Sequence, residues 1–139
     1  MKNKLNEVEL LLSENRLQDA LHLCESICQE NTTDTKAWYL FGVIQEQLGS
    51  FEKAEQAYIR ALELQPDNMD VVKQLTAILI KQERFDETKK ILQYACKKHP
   101  QHPASHANLG EYYLKLEKYD DAKKSFALAL SLKADFFPH

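Results

Sequence analysis

Two cysteines four residues apart are the first candidates for chemistry. Cys24 and Cys28 share one face of a predicted helix, with His22 nearby, and thiol and imidazole groups are the ligands that soft metal ions prefer. A tetrahedral zinc site needs two further ligands, and the neighbouring sequence offers none at a suitable spacing. Cysteine is also a common small buried residue, so we expect both thiols to be reduced and packed in a core. A metal or redox role is the alternative.

Three histidines form the second group. His99, His102 and His106 surround the turn that contains Pro100 and Pro103, and His102 and His106 are four residues apart. The first two belong to the turn, whereas His106 falls at a core position of the next helix, so the three side chains need not converge. We expect structural roles. The alternatives are a weak metal site and a pH-sensitive joint.

Acidic residues give no catalytic pair. Asp120 and Asp121 lie at a predicted helix start and Asp135 lies in the tail, where capping or solvated roles are expected. The sequence contains no glycine-rich phosphate loop, nucleophile elbow, HExxH motif or paired catalytic carboxylate with an accompanying base. We therefore expect a protein that is not an enzyme and that needs no metal or cofactor.

Composition restricts the class of partner. Of 139 residues, 44% are hydrophobic and 28% charged, as in ordinary globular proteins, and the net charge of −3 lacks the basic excess typical of nucleic-acid binding. The early apolar run Leu10-Leu11-Leu12 is too short for a signal-peptide core, and no run approaches the ~20 apolar residues of a membrane span. We expect a cytoplasmic protein without nucleic-acid or membrane partners.

Residues 35–68 organise the rest of the chain. They form two predicted amphipathic helices, broken at Leu48-Gly49-Ser50 and closed at Pro66. The apolar and small residues of the two stripes are Trp38, Phe41 and Gly42, then Phe51, Ala54, Tyr58 and Ala61. This stretch resembles a tetratricopeptide repeat (TPR), whose 34-residue pattern is W-x2-L-G-x2-Y, A-x3-F and P. Gln45 stands where the pattern has Tyr.

A period of 34 residues extends over the whole chain. Pro66 maps onto Pro100, and Ala61 maps onto Ala95 and Ala129. The repeats are residues 1–34, 35–68, 69–102 and 103–136, followed by a remnant, 137–139. The resemblance implies an all-α fold in a single domain: an α-solenoid, wound as a right-handed superhelix, of four 34-residue helix-turn-helix hairpins. The predicted helices are 3–13, 17–29, 36–47, 51–64, 70–81, 85–98, 104–115 and 119–131.

The first repeat departs furthest from the pattern. Glu7 and Val8 stand at the positions of Phe41 and Gly42. We therefore expect its opening helix to fray or to act as a cap.

In the family, the first helix of each hairpin lines the concave face of the superhelix, and this surface is implied to bind the partner. The corresponding residues outside the first repeat are apolar, lysine or glutamate for the most part. They include Lys36, Tyr39, Val43, Glu46, Lys73, Ala77, Ile80, Lys81, Ala107, Glu111, Leu114 and Lys115. We interpret them as a groove for a peptide or helix of another protein, in which Lys36, Lys73 and Lys81 select an acidic ligand.

The function expected from this resemblance is a non-enzymatic protein–protein interaction scaffold or adaptor. The carboxylate-clamp residues of co-chaperone members are not reproduced in either possible frame, which disfavours a chaperone C-terminal tail as ligand. One alternative is the N-terminal recognition arm of a larger glycosyl-, sulfo- or methyltransferase. Another is a small cytosolic secretion chaperone, which would be a homodimer.

The last helix suggests a second contact surface. Phe126 and Leu130 would lack a following hairpin to cover them, and Phe136 and Phe137 lie in the short tail. We hypothesise that these four residues form a C-terminal contact through which the chain could self-associate.

Overall fold

Helices make up the regular structure of the protein. The computed structural model describes the backbone of residues 2–136 and the side chains of residues 4–133, and this part contains eight α-helices and no strand. The helices are α1 (Lys2–Ser13), α2 (Leu17–Glu30), α3 (Thr35–Gln47), α4 (Phe51–Leu64), α5 (Met69–Lys81), α6 (Phe85–Lys98), α7 (Pro103–Lys115) and α8 (Tyr119–Phe136). The all-α class predicted from the repeat is confirmed.

The observed helix ends follow the repeat closely, except in α8. Each first helix begins one residue before its predicted start, and α8 continues past Ser131 to Phe136. Ala134 occupies the position at which Pro66 follows α4 and Pro100 follows α6. Alanine keeps its backbone N–H and has no ring to clash with the preceding turn, so this residue permits the helix to continue.

Each hairpin turns through one residue in the left-handed conformation, always at the fifteenth place of the repeat. These residues are Asn15 (φ 60°), Gly49 (φ 81°), Glu83 (φ 58°) and Glu117 (φ 60°). The next N–H then reaches back to a carbonyl of the last helical turn, as from Ser50 to Gln45 at 2.8 Å. This is the Schellman arrangement, which terminates a helix by satisfying its free carbonyl groups.

Side-chain caps start the first helices after the inter-hairpin turns. The Asp34 carboxylate accepts a hydrogen bond from the N–H of Ala37 at 3.1 Å, and Oδ1 of Asn68 accepts one from Val71 at 3.2 Å. Each cap satisfies an N–H that the helix itself cannot pair. The hydroxyl of Ser50, which precedes α4, makes no such bond, and the start of α4 follows the Schellman turn instead.

Contacts divide the chain into an N-terminal unit, residues 1–71, and a C-terminal unit, residues 72–139, with the boundary inside α5. In the N-terminal unit α1 packs on α2, α2 on α3 and α3 on α4, and α1 also contacts α3. In the C-terminal unit α6 packs on α7 and α7 on α8. That all four hairpins form one domain stays a prediction.

The opening helix is better packed than its sequence suggested. Leu5, Val8 and Leu11 are all buried, and Val8 is completely inaccessible. They belong to the same core cluster as Cys24 of α2. The expectation that α1 frays or only caps the array overlooked this burial: Val8 replaces the glycine of the pattern, and the small Cys24 replaces the aromatic residue that the glycine normally accommodates.

Two glycines permit close approach between the helices of a hairpin. A Cβ added to Gly42 of α3 would lie 2.5 Å from the ring of Tyr58, and one added to Gly110 of α7 would lie 2.8 Å from the ring of Phe126. Both distances are shorter than any tolerable carbon–carbon contact. The aromatic ring of the second helix therefore sits directly against the backbone of the first helix.

We expect Gly42→Ala to destabilise the protein by roughly 1–3 kcal/mol, because the new methyl group overlaps the ring of buried Tyr58. Combining it with Tyr58→Leu removes the ring and should cost less than the sum of the two single changes. Urea unfolding of the four proteins of this double-mutant cycle measures the coupling. Strictly additive losses would show that the two residues do not share this contact.

A substitution at one of the left-handed turn residues should stabilise the protein. Glu83→Gly should raise the free energy of unfolding by roughly 0.5–1 kcal/mol, because glycine adopts φ 58° without the steric cost that glutamate has there. Gly49→Ala, at the equivalent turn, is the matched control and should lower stability by a similar amount. Thermal melts that rank the two variants in the reverse order would contradict this account.

Candidate binding surfaces on the first helices

The predicted binding residues of the second repeat share one face of α3. Lys36, Tyr39, Val43 and Glu46 follow one another at spacings of three and four residues, which bring side chains to the same side of a helix. Lys36 is exposed and the other three are half-buried. The buried face of the same helix carries Ala37, Leu40 and Ile44. The four predicted residues therefore border the core and remain accessible.

Tyr58 of α4 supports this surface from below. Its ring centre lies 6.0 Å from that of Tyr39, and its hydroxyl donates a hydrogen bond of 2.9 Å to Oε1 of Glu46. Burial and the adjacent Glu46 carboxylate raise the pKa of Tyr58, so its hydroxyl stays protonated and remains a donor. Glu46 is thus oriented by the fold. The helical spacing in the sequence places Glu46 on the surface but gives no sign of its hydrogen bond with Tyr58.

Lys36 has an internal partner. Its Nζ lies 2.9 Å from a carboxylate oxygen of Glu9 on α1. Both side chains are about half exposed, so the pair contributes little to stability. It nevertheless neutralises a lysine that the sequence assigned to acidic ligands.

An open cleft of about 300 Å³ adjoins Lys36 and Tyr39. Its lining comes from the start of α3 and from the turn that leads into α5. The residues are Thr35, Lys36, Tyr39, Gln65, Asn68 and Asp70. Gln65, Asn68 and Asp70 are not among the binding residues predicted from the sequence. Gln65 and Asn68 lie in the turn between α4 and α5, and Asp70 lies in the first turn of α5, so the position of this turn beside the start of the next first helix was the available signal.

The C-terminal unit contains the remaining predicted residues, on α5 and α7. Ala77, Ile80 and Ala107 are half-buried, whereas Leu114 is 48% exposed. Lys73 of α5 and Glu111 of α7 form an ion pair of 3.8 Å, with both side chains about half exposed. This pair brings two predicted binding residues together and neutralises a second lysine assigned to acidic ligands.

Lys81 and Lys115 differ from Lys36 and Lys73. Both are exposed, and neither forms an ion pair with another residue in the described part of the chain. Each is the last residue of its helix. The uncompensated lysines of the predicted surface in this unit are therefore at the C-terminal ends of α5 and α7.

The two residues of the hypothesised α8 contact whose side chains the structure describes differ in exposure. Phe126 is half-buried, and its ring lies against Gly110, so it packs within the last hairpin. Leu130 is 67% exposed. The side chain of Phe136 and the whole of Phe137 lie outside the described residues. Self-association through this helix stays a prediction.

Cys24 and Cys28 are buried among apolar residues of the N-terminal core. The Cys24 thiol donates to the carbonyl oxygen of Ala37 at 3.3 Å, so it joins α2 to α3. A hydrogen bond with Cys28 and burial raise the pKa of the Cys24 thiol. The prediction that both cysteines pack in a core is confirmed.

The three histidines do not form one site. The ring of His106 is buried, and its Nε2 lies 2.8 Å from the carbonyl oxygen of Pro100. Nδ1 of His102 accepts a hydrogen bond from the N–H of Ala104 at 3.3 Å and thereby caps α7. Among the residues that the structure describes, no three His, Cys, Asp or Glu side chains are arranged to hold a metal ion.

The repeated hairpins, the left-handed turn residues and the glycine–aromatic contacts define a TPR protein. The chain belongs to the family described as the cytochrome c-type biogenesis protein H TPR domain, whose profile matches residues 5–135. No curated protein sequence matches the chain significantly.

Solved structures show the same fold at low sequence identity. MamA from Desulfovibrio magneticus RS-1 is 19% identical, with a TM-score of 0.70 over 94% of this chain and 74% of that one. PilF from Pseudomonas aeruginosa is 20% identical, with a TM-score of 0.75 over 94% and 60% of the two chains. Yeast Tom70 is 20% identical, with a TM-score of 0.75 over 84% of this chain and 24% of its own. The similarity supports an all-α solenoid of TPR hairpins.

Within residues 2–136, no helix combines the length and the apolar character needed to cross a membrane.

We expect the three thiols to differ in reactivity. Cys96 is half-buried, whereas Cys24 and Cys28 are buried, so Ellman's reagent should modify Cys96 first. Burial raises the pKa of the Cys96 thiol as well, so its reaction should be slower than that of a free thiol at the same pH. The Cys96→Ser variant is the control and should lose the early phase. Early modification of Cys24 or Cys28 in that variant would show that the N-terminal core opens readily.

Proposed function

We propose that the chain is a non-enzymatic interaction scaffold that binds an extended or helical segment of another protein on the surfaces of its first helices. The observation that carries this proposal is the accessibility of apolar side chains on these helices. Leu114 is 48% exposed, and Val43 and Ile80 are half-buried beside the buried Ile44 and Leu79. We treat these side chains as parts of one apolar surface, because contiguous exposed apolar patches mark sites of interaction.

Each unit has its own accessible apolar residues that could contact a ligand. Tyr39 and Val43 lie on α3 in the N-terminal unit, and Ile80 and Leu114 lie on α5 and α7 in the C-terminal unit. Side chains at spacings of three and four residues on a helix suit a partner helix or an extended peptide that crosses it. The open cleft beside Lys36 and Tyr39 could accept one side chain of such a ligand.

The ion pairs modify the expected charge selectivity. Lys36 is compensated by Glu9 and Lys73 by Glu111, so neither offers a full positive charge to a ligand. Apolar contact should therefore provide most of the affinity. The name of the matching family makes components of cytochrome c biogenesis a reasonable first set of partners to test.

Panning a peptide-display library against the purified chain tests the proposal. We expect the selected peptides to lose about tenfold in affinity for the Leu114→Ser variant, because an accessible apolar anchor is removed. Leu128→Ser is the matched control: Leu128 on α8 is 46% exposed, close to Leu114, but it lies on a second helix. Its substitution should leave the affinity unchanged.

Fluorescence titration of the labelled peptides measures these affinities. Equal losses in both variants would mean that the peptides respond only to exposed apolar area. A loss confined to Leu128→Ser would place the binding surface on the second helices and would contradict the proposal.

A further inference from the structure

The two first helices of the C-terminal unit, α5 and α7, both end in an apolar residue followed by a lysine. α5 finishes with Ile80-Lys81 and α7 with Leu114-Lys115, at identical places in the repeat. The equivalent dipeptides of the N-terminal unit are Leu12-Ser13 and Glu46-Gln47. An apolar residue followed by a lysine is therefore a feature of the first helices of the C-terminal unit and is absent from those of the N-terminal unit.

The charges on this surface are unevenly distributed. Lys73 is compensated by Glu111, whereas Lys81 and Lys115 form no ion pair within the described residues. Among the described residues of this surface, the lysines that have no ion-pair partner are therefore the two at the C-terminal ends of α5 and α7.

A structural explanation exists for the lysines alone. A cation in the last turn of a helix interacts favourably with the helix dipole. That effect does not account for the neighbouring apolar residue, since Leu114 is 48% exposed and Ile80 is only half-buried. The combination of accessible apolar groups and uncompensated lysines matches a ligand that carries both apolar side chains and carboxylates.

We infer that the ends of α5 and α7 bind an acidic amphipathic segment of a protein partner. Ile80 and Leu114 contact its apolar side chains, and Lys81 and Lys115 contact its carboxylates. This inference rests on the proposed scaffold function and specifies where acidic ligands are selected. It transfers that role from Lys36 and Lys73, which already have carboxylate partners, to Lys81 and Lys115.

The test uses three labelled synthetic peptides with repeated sequences: Leu-Glu-Glu-Leu, Leu-Lys-Lys-Leu and Ser-Glu-Glu-Ser. We expect the full chain to bind the first peptide more tightly than either of the others, with an affinity that falls as salt is added. The Lys81→Glu/Lys115→Glu variant should bind it about tenfold more weakly, because attraction becomes repulsion. Thermal melts check that the variant is folded, and Lys81→Gln/Lys115→Gln provides a milder second variant.

The matched control is Lys89→Glu/Lys97→Glu, which changes the net charge equally at two exposed lysines of α6. It should retain nearly full affinity. Equal losses in the two charge-reversal variants, preference for Ser-Glu-Glu-Ser, or tighter binding of a single-stranded oligonucleotide than of Leu-Glu-Glu-Leu would overturn the inference. So would failure of the chain to bind Leu-Glu-Glu-Leu at low salt.

The two proposals can fail separately. If display-selected peptides depend on Leu114 but not on Lys81 and Lys115, the scaffold function stands and the site of acidic selection is wrong. If the selected peptides depend on none of these residues, both proposals fail.

Discussion

The contact between Gly42 and the ring of Tyr58 sets the geometry on which the best-matched hairpin depends. A Cβ at Gly42 would lie 2.5 Å from that ring, so the two helices can approach this closely only because the position is glycine. The same ring lies beside Tyr39, and its hydroxyl reaches Glu46 on the accessible side of α3. One packing contact thus fixes the hairpin and orients two residues of the surface to which we assign binding.

In the other repeats, the side chains at the two equivalent positions vary in size so that a larger one is matched by a smaller one. The pairs are Val8 and Cys24, Gly42 and Tyr58, Thr76 and Leu92, and Gly110 and Phe126. Where the first-helix residue is glycine, the second-helix residue is aromatic. Where the first-helix residue has a side chain, its counterpart is smaller, as close packing at nearly constant density requires. This exchange explains why α1 is well buried despite its poor match to the pattern, with Val8 and Cys24 both inaccessible.

The first helices have two faces with different requirements. The core face must pack closely, which confines it to apolar and small residues, whereas the opposite face is free to vary. On that free face the protein has ion pairs between the first helices within each unit, Lys36 with Glu9 and Lys73 with Glu111. These pairs join neighbouring first helices and reduce the number of lysines available to a ligand. The accessible apolar residues and the two lysines at the helix ends are the features on which the binding proposals rest.

The sequence by itself determined the repeat, the helix type and nearly all helix ends, because the amphipathic periodicity of each helix is a local signal that recurs every 34 residues. It also predicted which residues of α3, α5 and α7 lie beside the core and remain accessible. Only the tertiary structure decided that Glu46 is held by Tyr58, that Lys36 pairs with Glu9 and that α1 is buried. These features depend on which side chains from different helices come within reach of one another, and a one-dimensional pattern does not contain those distances.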